Sequence, residues 1–217
     1  MEQLVPAYRG KLQGEKLMFI YANTYYNLED YYLSGYQFER FTQAYPQSDS
    51  VEIAAFKSAK SFYQLSPRYS LDQKDTYKGL EKLQEFINQY PNSDKRTEAN
   101  TLVAELRNKL EKKEFEVAKQ YLHVEDYKAA IGAFDNFITD NPGSVYRKDA
   151  FYGRFVAAYK LAINSIPVLV QERLRDAKVY YNNFIKYYKD TDLAPEAMEL
   201  YQDIESRIVP LETEPTI

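Results

Sequence analysis

The side chains that could do chemistry in this chain are mostly tyrosines: there are 22 of them, with one histidine and no cysteine. Without cysteine the chain forms no disulfide, no thiolate metal site and no cysteine nucleophile. The histidine, His123, stands beside a predicted helix end with no second ligand near it. No phosphate-binding loop, nucleophile elbow or catalytic carboxylate pair is recognisable. The sequence therefore predicts no catalytic residue, no metal site, no cofactor and no enzyme.

The charge and the hydropathy of the chain exclude further classes of function. The net charge is -4 and the sequence pI is about 5.3, which gives no footprint for nucleic acid. Acidic and basic residues alternate along the predicted helices, as on a solvated face. No apolar run approaches the roughly 20 residues of a membrane span, and Met1 begins no signal peptide. Recognition of another molecule by a tyrosine-bearing surface is the function class that remains.

The candidate recognition residues lie on two predicted helices. By repeat register, the exposed positions of these helices are Asn23, Tyr26, Asn27, Lys60, Tyr63 and Gln64. Tyrosine rings provide contact area at low entropy cost, and amides can pair with the backbone of an extended segment. These positions predict a groove that binds a partner. The alternative is that the two tyrosines only pack between repeats.

The elements that position these residues are best seen in the stretch 111–144. Apolar residues recur at helical spacing in both halves, Glu125-Asp126 interrupts them, and Asn141-Pro142 stops the second helix. Small residues, Ala118 and Ala130, stand where two helices would cross, with aromatics beside them. This pattern resembles the tetratricopeptide repeat. One such hairpin cannot bury its apolar face, so neighbouring hairpins must stack on it.

The end of this repeat occurs four times. Each ending has a phenylalanine, a proline five residues later and a serine two residues after the proline. The three regular copies are Phe41/Pro46/Ser48, Phe86/Pro91/Ser93 and Phe137/Pro142/Ser144, and a degenerate fourth copy is Phe184/Lys189/Thr191. In all four copies an alanine follows six residues after the serine or threonine: Ala54, Ala99, Ala150 and Ala197. Proline stops a helix, and the serine or threonine is interpreted as a cap of the next one. The sequence predicts an all-α tetratricopeptide-repeat solenoid of antiparallel helix hairpins.

Two departures from the repeat are informative. The turn from Ser66 to Thr76 is longer than the others, and its Arg68, Asp72 and Gln73 are candidate partner contacts; a tolerated surface insertion is the alternative. One apolar stripe continues through residues 94–122, which predicts a single long bridging helix.

The predicted domains follow from these features. Residues 1–93 form N-terminal repeats, and residues 1–11 read as the tail of a repeat whose first helix is missing. Residues 94–209 form the long helix, C-terminal repeats and a capping helix, and residues 210–217 form a disordered tail.

More specific signatures point to a family. They are the endings Tyr45-Pro46-x-Ser48 and Tyr90-Pro91-x-Ser93, the loop 66–73, the run 98–121 and the segment 162–165. With these, residues 1–208 resemble the BamD family of helical-repeat lipoproteins of the outer-membrane β-barrel assembly machine.

The resemblance implies a non-catalytic scaffold at the periplasmic face of the outer membrane. Family members are held there by a lipid on an N-terminal cysteine, which this chain lacks. Two partners are implied: the BamA-like periplasmic domains of the barrel subunit, bound chiefly by C-terminal repeats, and unfolded β-barrel precursors, received by N-terminal repeats. Carried over here, Asn23, Tyr26, Lys60 and Tyr63 become candidate precursor contacts. The alternatives are a general tetratricopeptide-repeat adaptor and a periplasmic glycan-binding helical-repeat protein.

Overall fold

The structure, a computed structural model, describes residues 12–209, and all regular secondary structure in that range is helical. The helices are α1 (Leu12–Asn27), α2 (Tyr31–Ala44), α3 (Val51–Gln64), α4 (Lys74–Gln89), α5 (Arg96–His123), α6 (Tyr127–Asp140), α7 (Arg147–Ile163), α8 (Pro167–Tyr188) and α9 (Ala194–Arg207). Helices that follow each other in the sequence are joined by turns and pack against one another, for example α1 against α2 and α7 against α8. The predicted all-α, tetratricopeptide-like fold is confirmed. The predictions for residues 1–11 and 210–217 lie outside the described range.

The repeat endings form the core of the hairpins. Their phenylalanines and alanines are all buried, each at most 2% exposed: Phe41, Phe86, Phe137, Phe184, Ala54, Ala99, Ala150 and Ala197. The last helical bond of α2 runs from the backbone N–H of Tyr45 to the carbonyl oxygen of Phe41 at 2.9 Å, and Tyr90 bonds Phe86 in the same way at 2.9 Å. The following proline has no N–H to continue the helix.

The serines of the repeat endings do not cap the next helix, so that interpretation is wrong. The cap position of α3 is Ser50, and Ser48 lies two residues before it. The Ser48 hydroxyl oxygen instead accepts a hydrogen bond from the backbone N–H of Ser50 at 3.0 Å, and the hydroxyl donates its own proton to a carboxylate oxygen of Glu15 at 2.6 Å. Ser93 likewise donates to Glu52 at 2.5 Å. The serine therefore shapes the turn and ties it to the first helix of its own repeat.

The two Glu-Asp turns share one backbone conformation. Glu29 has φ 60° and Glu125 has φ 63°, in the left-handed region that non-glycine residues rarely adopt. The next residues cap α2 and α6: Asp30 accepts the backbone N–H of Leu33 at 3.1 Å, and Asp126 accepts that of Ala129 at 3.2 Å.

The predicted long helix is confirmed, since α5 runs through 28 residues without a break. The chain divides within this helix, between Leu110 and Glu111, into two compact units, an N-terminal one and a C-terminal one. In the N-terminal unit, residues 12–110, α5 buries Ala99, Leu102, Val103 and Leu106 against α3 and α4. In the C-terminal unit, residues 111–209, it buries Phe115 and Ala118 in a second core. The predicted boundary at 93/94 stays a prediction.

The C-terminal core packs closely around one glycine. Gly153 of α7 lies so near Phe134 that an added Cβ would stand 2.5 Å from the ring. Phe134 is fully buried, and its ring packs 6.2 Å, centroid to centroid, from that of Phe115. Close helix crossing here depends on the missing side chain.

Candidate functional site

The structure connects the candidate groove residues in a row of polar contacts across α1, α3 and the start of α5, all in the N-terminal unit. We call this row the ladder; its members are Asn23, Tyr26, Lys57, Lys60, Tyr63, Glu98 and Glu105. Each contact joins residues far apart in sequence, so the ladder exists only because the first helices of successive repeats lie side by side.

The first contact joins α1 to α3 around Tyr26. This half-buried tyrosine packs against the core of α1 and α2, and its ring meets that of Tyr31 edge-on at 5.7 Å. The ammonium nitrogen of Lys57 stands 5.3 Å from the Tyr26 ring centroid and donates to the side-chain oxygen of Asn23. Burial is the main cause that raises the pKa of the Tyr26 hydroxyl. Tyr26 is therefore a neutral ring that contacts a cation.

The second contact is an ion pair between α3 and α5. Lys60 Nζ lies 2.7 Å from a carboxylate oxygen of Glu98, with side chains 30% and 40% exposed. The hydrogen bond to Glu98 is the main cause that raises the pKa of Lys60. Since water screens such a partly exposed pair, it contributes about 1 kcal/mol or less. The main effect of the pair is to hold the Lys60 ammonium and the Glu98 carboxylate in fixed positions.

The third contact is made by Tyr63. Its hydroxyl donates a hydrogen bond to Glu105 on α5, and its ring packs against the core of α3, α4 and α5. Mainly because of that hydrogen bond, the pKa of Tyr63 is raised to about 12. Both tyrosines thus pack against the core with part of the ring, and the Tyr26 ring and the Tyr63 hydroxyl also take part in the ladder.

The remaining groove residues, Asn27 and Gln64, are exposed. Asn27 is the last residue of α1 and Gln64 is the last residue of α3. Their amides are the members of the predicted set most open to a ligand. The structure therefore brings together four of the six predicted residues and leaves these two at helix ends.

The loop between α3 and α4 is held in place from within. Gln73 is only 5% exposed, and its side-chain nitrogen donates to the carbonyl oxygens of Arg68 and Leu71, both at 2.9 Å. Lys109 of α5 donates to the Ser66 hydroxyl oxygen at 2.7 Å. Gln73 was predicted as a partner contact, but its burial makes it an internal support of the loop. Arg68 and Asp72 are exposed and stay candidate contacts.

Sequence reasoning missed three ladder residues. Glu98 and Glu105 lie on α5, and nothing in their local sequence shows which residues of α3 they face. Lys57 did carry a signal: it precedes Lys60 by three residues, which places the two on one helix face.

Among residues 12–209, no cluster of three or more histidine, cysteine, aspartate or glutamate side chains could hold a metal ion. None of the helices described between Leu12 and Arg207 has both the length and the apolar character of a membrane span.

Fold and ladder together define a helical-repeat protein of the tetratricopeptide type. Residues 7–164 match the model of the YfiO family, described as outer membrane lipoprotein, and the chain belongs to that family. A relative from Caulobacter vibrioides, named outer membrane protein assembly factor BamD, is 28% identical over 146 residues, which is 67% of this chain and 46% of the relative. The chain thus aligns with about half the length of that relative. The resemblance seen in the sequence is confirmed.

Proposed function

We propose that this chain is a non-catalytic scaffold in the assembly of outer-membrane proteins, binding unfolded β-barrel precursors and the barrel subunit of the assembly machine. Membership of the outer membrane lipoprotein family carries this proposal, together with the relative named as an assembly factor. The proposed location is the periplasmic face of the outer membrane, with attachment through a lipid anchor.

The N-terminal unit is the proposed site for precursors. An unfolded precursor offers extended backbone and, in its future strands, alternating apolar and polar side chains. Exposed amides at Asn27 and Gln64 can pair with such backbone, and the ring edges of Tyr26 and Tyr63 offer apolar contact. The ladder contacts hold the two tyrosine rings in place before binding, which lowers the entropy cost of association.

The C-terminal unit is the proposed site for the barrel subunit. Several large apolar side chains of this unit are exposed by more than half: Val145, Ile166, Val168, Val179 and Tyr187. We propose that some of these side chains form the apolar part of a surface that the barrel subunit covers, as contiguous exposed apolar patches often do. Arg68 and Asp72, on the supported loop, are proposed as further partner contacts.

Site-directed cross-linking tests the precursor site. A photoreactive amino acid at Asn27 or Gln64 is expected to cross-link to an unfolded β-barrel precursor. The double substitution Tyr26→Ala with Tyr63→Ala should reduce that cross-linking. The matched control is Tyr32→Ala with Tyr77→Ala, two tyrosines that are 69% and 59% exposed and stand outside the ladder.

The proposed precursor site would be contradicted by unchanged cross-linking in a folded variant. If the ladder double variant retains its helical circular dichroism and cross-links as well as the control variant does, the proposed site is wrong. The binding of the barrel subunit is tested with the variant Val168→Glu. If the barrel subunit binds this variant as tightly as it binds the unsubstituted chain, the proposed role of the C-terminal surface is wrong.

A further inference from the structure

Lys57 is the one ladder residue whose charge no acidic residue of the described chain balances. Its Nζ lies 6.0 Å from the ring centroid of Phe19, 5.3 Å from that of Tyr26 and 5.8 Å from that of Phe38. Its hydrogen-bond partner is the neutral amide oxygen of Asn23. An ammonium group has three donors, so one bond leaves donors for another acceptor.

Three other lysines of the N-terminal unit differ in this respect, whereas Lys109 donates to Ser66 and has no ion pair among the described residues either. Lys60 pairs with Glu98, Lys78 with Glu81, and Lys82 with two glutamates. Lys57 is half-buried, and its pKa is lowered, first by burial and then by the nearby charge of Lys60. The aromatic rings compensate in part, because a cation is attracted to a ring face. A local departure of this kind, a partly buried cation without an acidic partner, is expected at functional sites.

We propose that Lys57 anchors an aspartate or glutamate side chain of an extended peptide segment bound along the ladder. This inference rests on the proposed precursor-binding function and names the chemistry that the site selects. The ligand carboxylate would accept hydrogen bonds from the Lys57 ammonium group, while the ligand backbone stays near the exposed amides of Asn27 and Gln64.

Charge and burial decide among the anions that could bind. The other charged ladder residues, Lys60 with Glu98 and Glu105, already sum to one negative charge, so a doubly charged group such as phosphate would bring one negative charge more than the Lys57 ammonium offsets. A single carboxylate matches the one unbalanced cation. Because the ammonium is half-buried, a carboxylate on a flexible side chain reaches it more easily than a chain-terminal carboxylate, which would bring the peptide backbone with it.

Fluorescence anisotropy with the whole chain tests the inference. The probe is a short peptide of alternating tyrosine and threonine, acetylated and amidated, with a central glutamate; its twin carries glutamine there. We expect the glutamate peptide to bind about tenfold more tightly, since a charge-assisted hydrogen bond is worth about 1.4 kcal/mol or more over a neutral one. Added salt should weaken only that preference.

Substitutions locate the preference. Lys57→Met should abolish it and, because an unpaired charge is removed, should not lower the melting temperature. Lys57→Gln serves the same purpose if the methionine variant misfolds. The matched control is Lys78→Met, which removes a partly exposed lysine of α4 that pairs with Glu81 and should leave the preference intact.

The results separate this inference from the proposed function. If both peptides bind equally and the Tyr26→Ala with Tyr63→Ala variant loses both, the groove stands and the role of Lys57 is refuted. The role of Lys57 is also refuted if a glutamine peptide with a free C-terminal carboxylate binds more tightly than the glutamate peptide. The site would then recognise the carboxylate at the end of a chain and not one on a side chain. Absence of binding by every peptide would overturn the groove and the Lys57 inference together.

Discussion

Two helical glycines of the C-terminal unit should respond in opposite directions to the same substitution. Gly153 of α7 would place a Cβ 2.5 Å from the buried ring of Phe134, whereas Gly132 of α6 has no such neighbour within 4 Å. Alanine in place of glycine inside a helix stabilises by about 0.5 to 1 kcal/mol when the site is free. Gly132→Ala should therefore raise the free energy of unfolding by about that amount.

At Gly153, where an added methyl group has no room, the same substitution should destabilise the protein. Forcing a methyl group into a packed core costs about 1 to 3 kcal/mol, because ring and backbone must shift. The contact at Gly153 is far inside van der Waals distance and involves a ring that is fully buried, so the upper part of that range applies. After the helix gain is subtracted, Gly153→Ala should lower the free energy of unfolding by about 2 kcal/mol.

Urea unfolding followed by circular dichroism measures both variants. The two midpoints should lie on opposite sides of the unsubstituted protein, with slopes unchanged if the denatured state is unaffected. A Gly153→Ala variant at least as stable as the unsubstituted protein would refute the close packing of α6 on α7. Equal destabilisation at Gly132 would refute the open site.

Three further predictions concern the turns and the ladder. Asp126→Ala should lower the free energy of unfolding by about 1 kcal/mol, because α6 loses its capping acceptor, and a urea titration checks it. Glu125→Gly should raise that free energy by a few tenths of a kcal/mol or about 1 at most, since its φ of 63° favours glycine; a variant less stable than the parent would contradict this. The pKa of Tyr63 rises from 10.0 to about 12 in the folded state, so its contribution to stability is complete below pH 10 and is lost as pH rises toward 12. Tyr63→Phe should show a smaller loss of stability across that window, and identical pH profiles would argue against the bond to Glu105.

The repeat pattern predicted most of the fold because the features involved are local. Phenylalanine five residues before proline, with alanine in the next helix, marks where a helix ends and where it packs, and Phe41, Phe86 and Ala99 are buried as this requires. The long helix was predicted from an unbroken apolar stripe and ends within two residues of the prediction.

The site was harder to predict because it depends on contacts between repeats. Lys60 and Tyr63 were identified from their register, but their partners on α5 are 38 and 42 residues away along the chain. The burial of Gln73 was not foreseen for a related reason. A polar residue in a polar loop looks exposed, yet the loop carbonyls need a donor, and the Gln73 amide meets that need by turning inward.

The shared helix α5 has a practical consequence for truncation. A cut at 93/94 would take Leu102, Val103 and Leu106 away from the N-terminal half, opening the core they fill against α3 and α4. The same residues would become an uncovered apolar stripe on the C-terminal fragment, which invites self-association. A soluble N-terminal fragment should therefore be ended no earlier than Leu110.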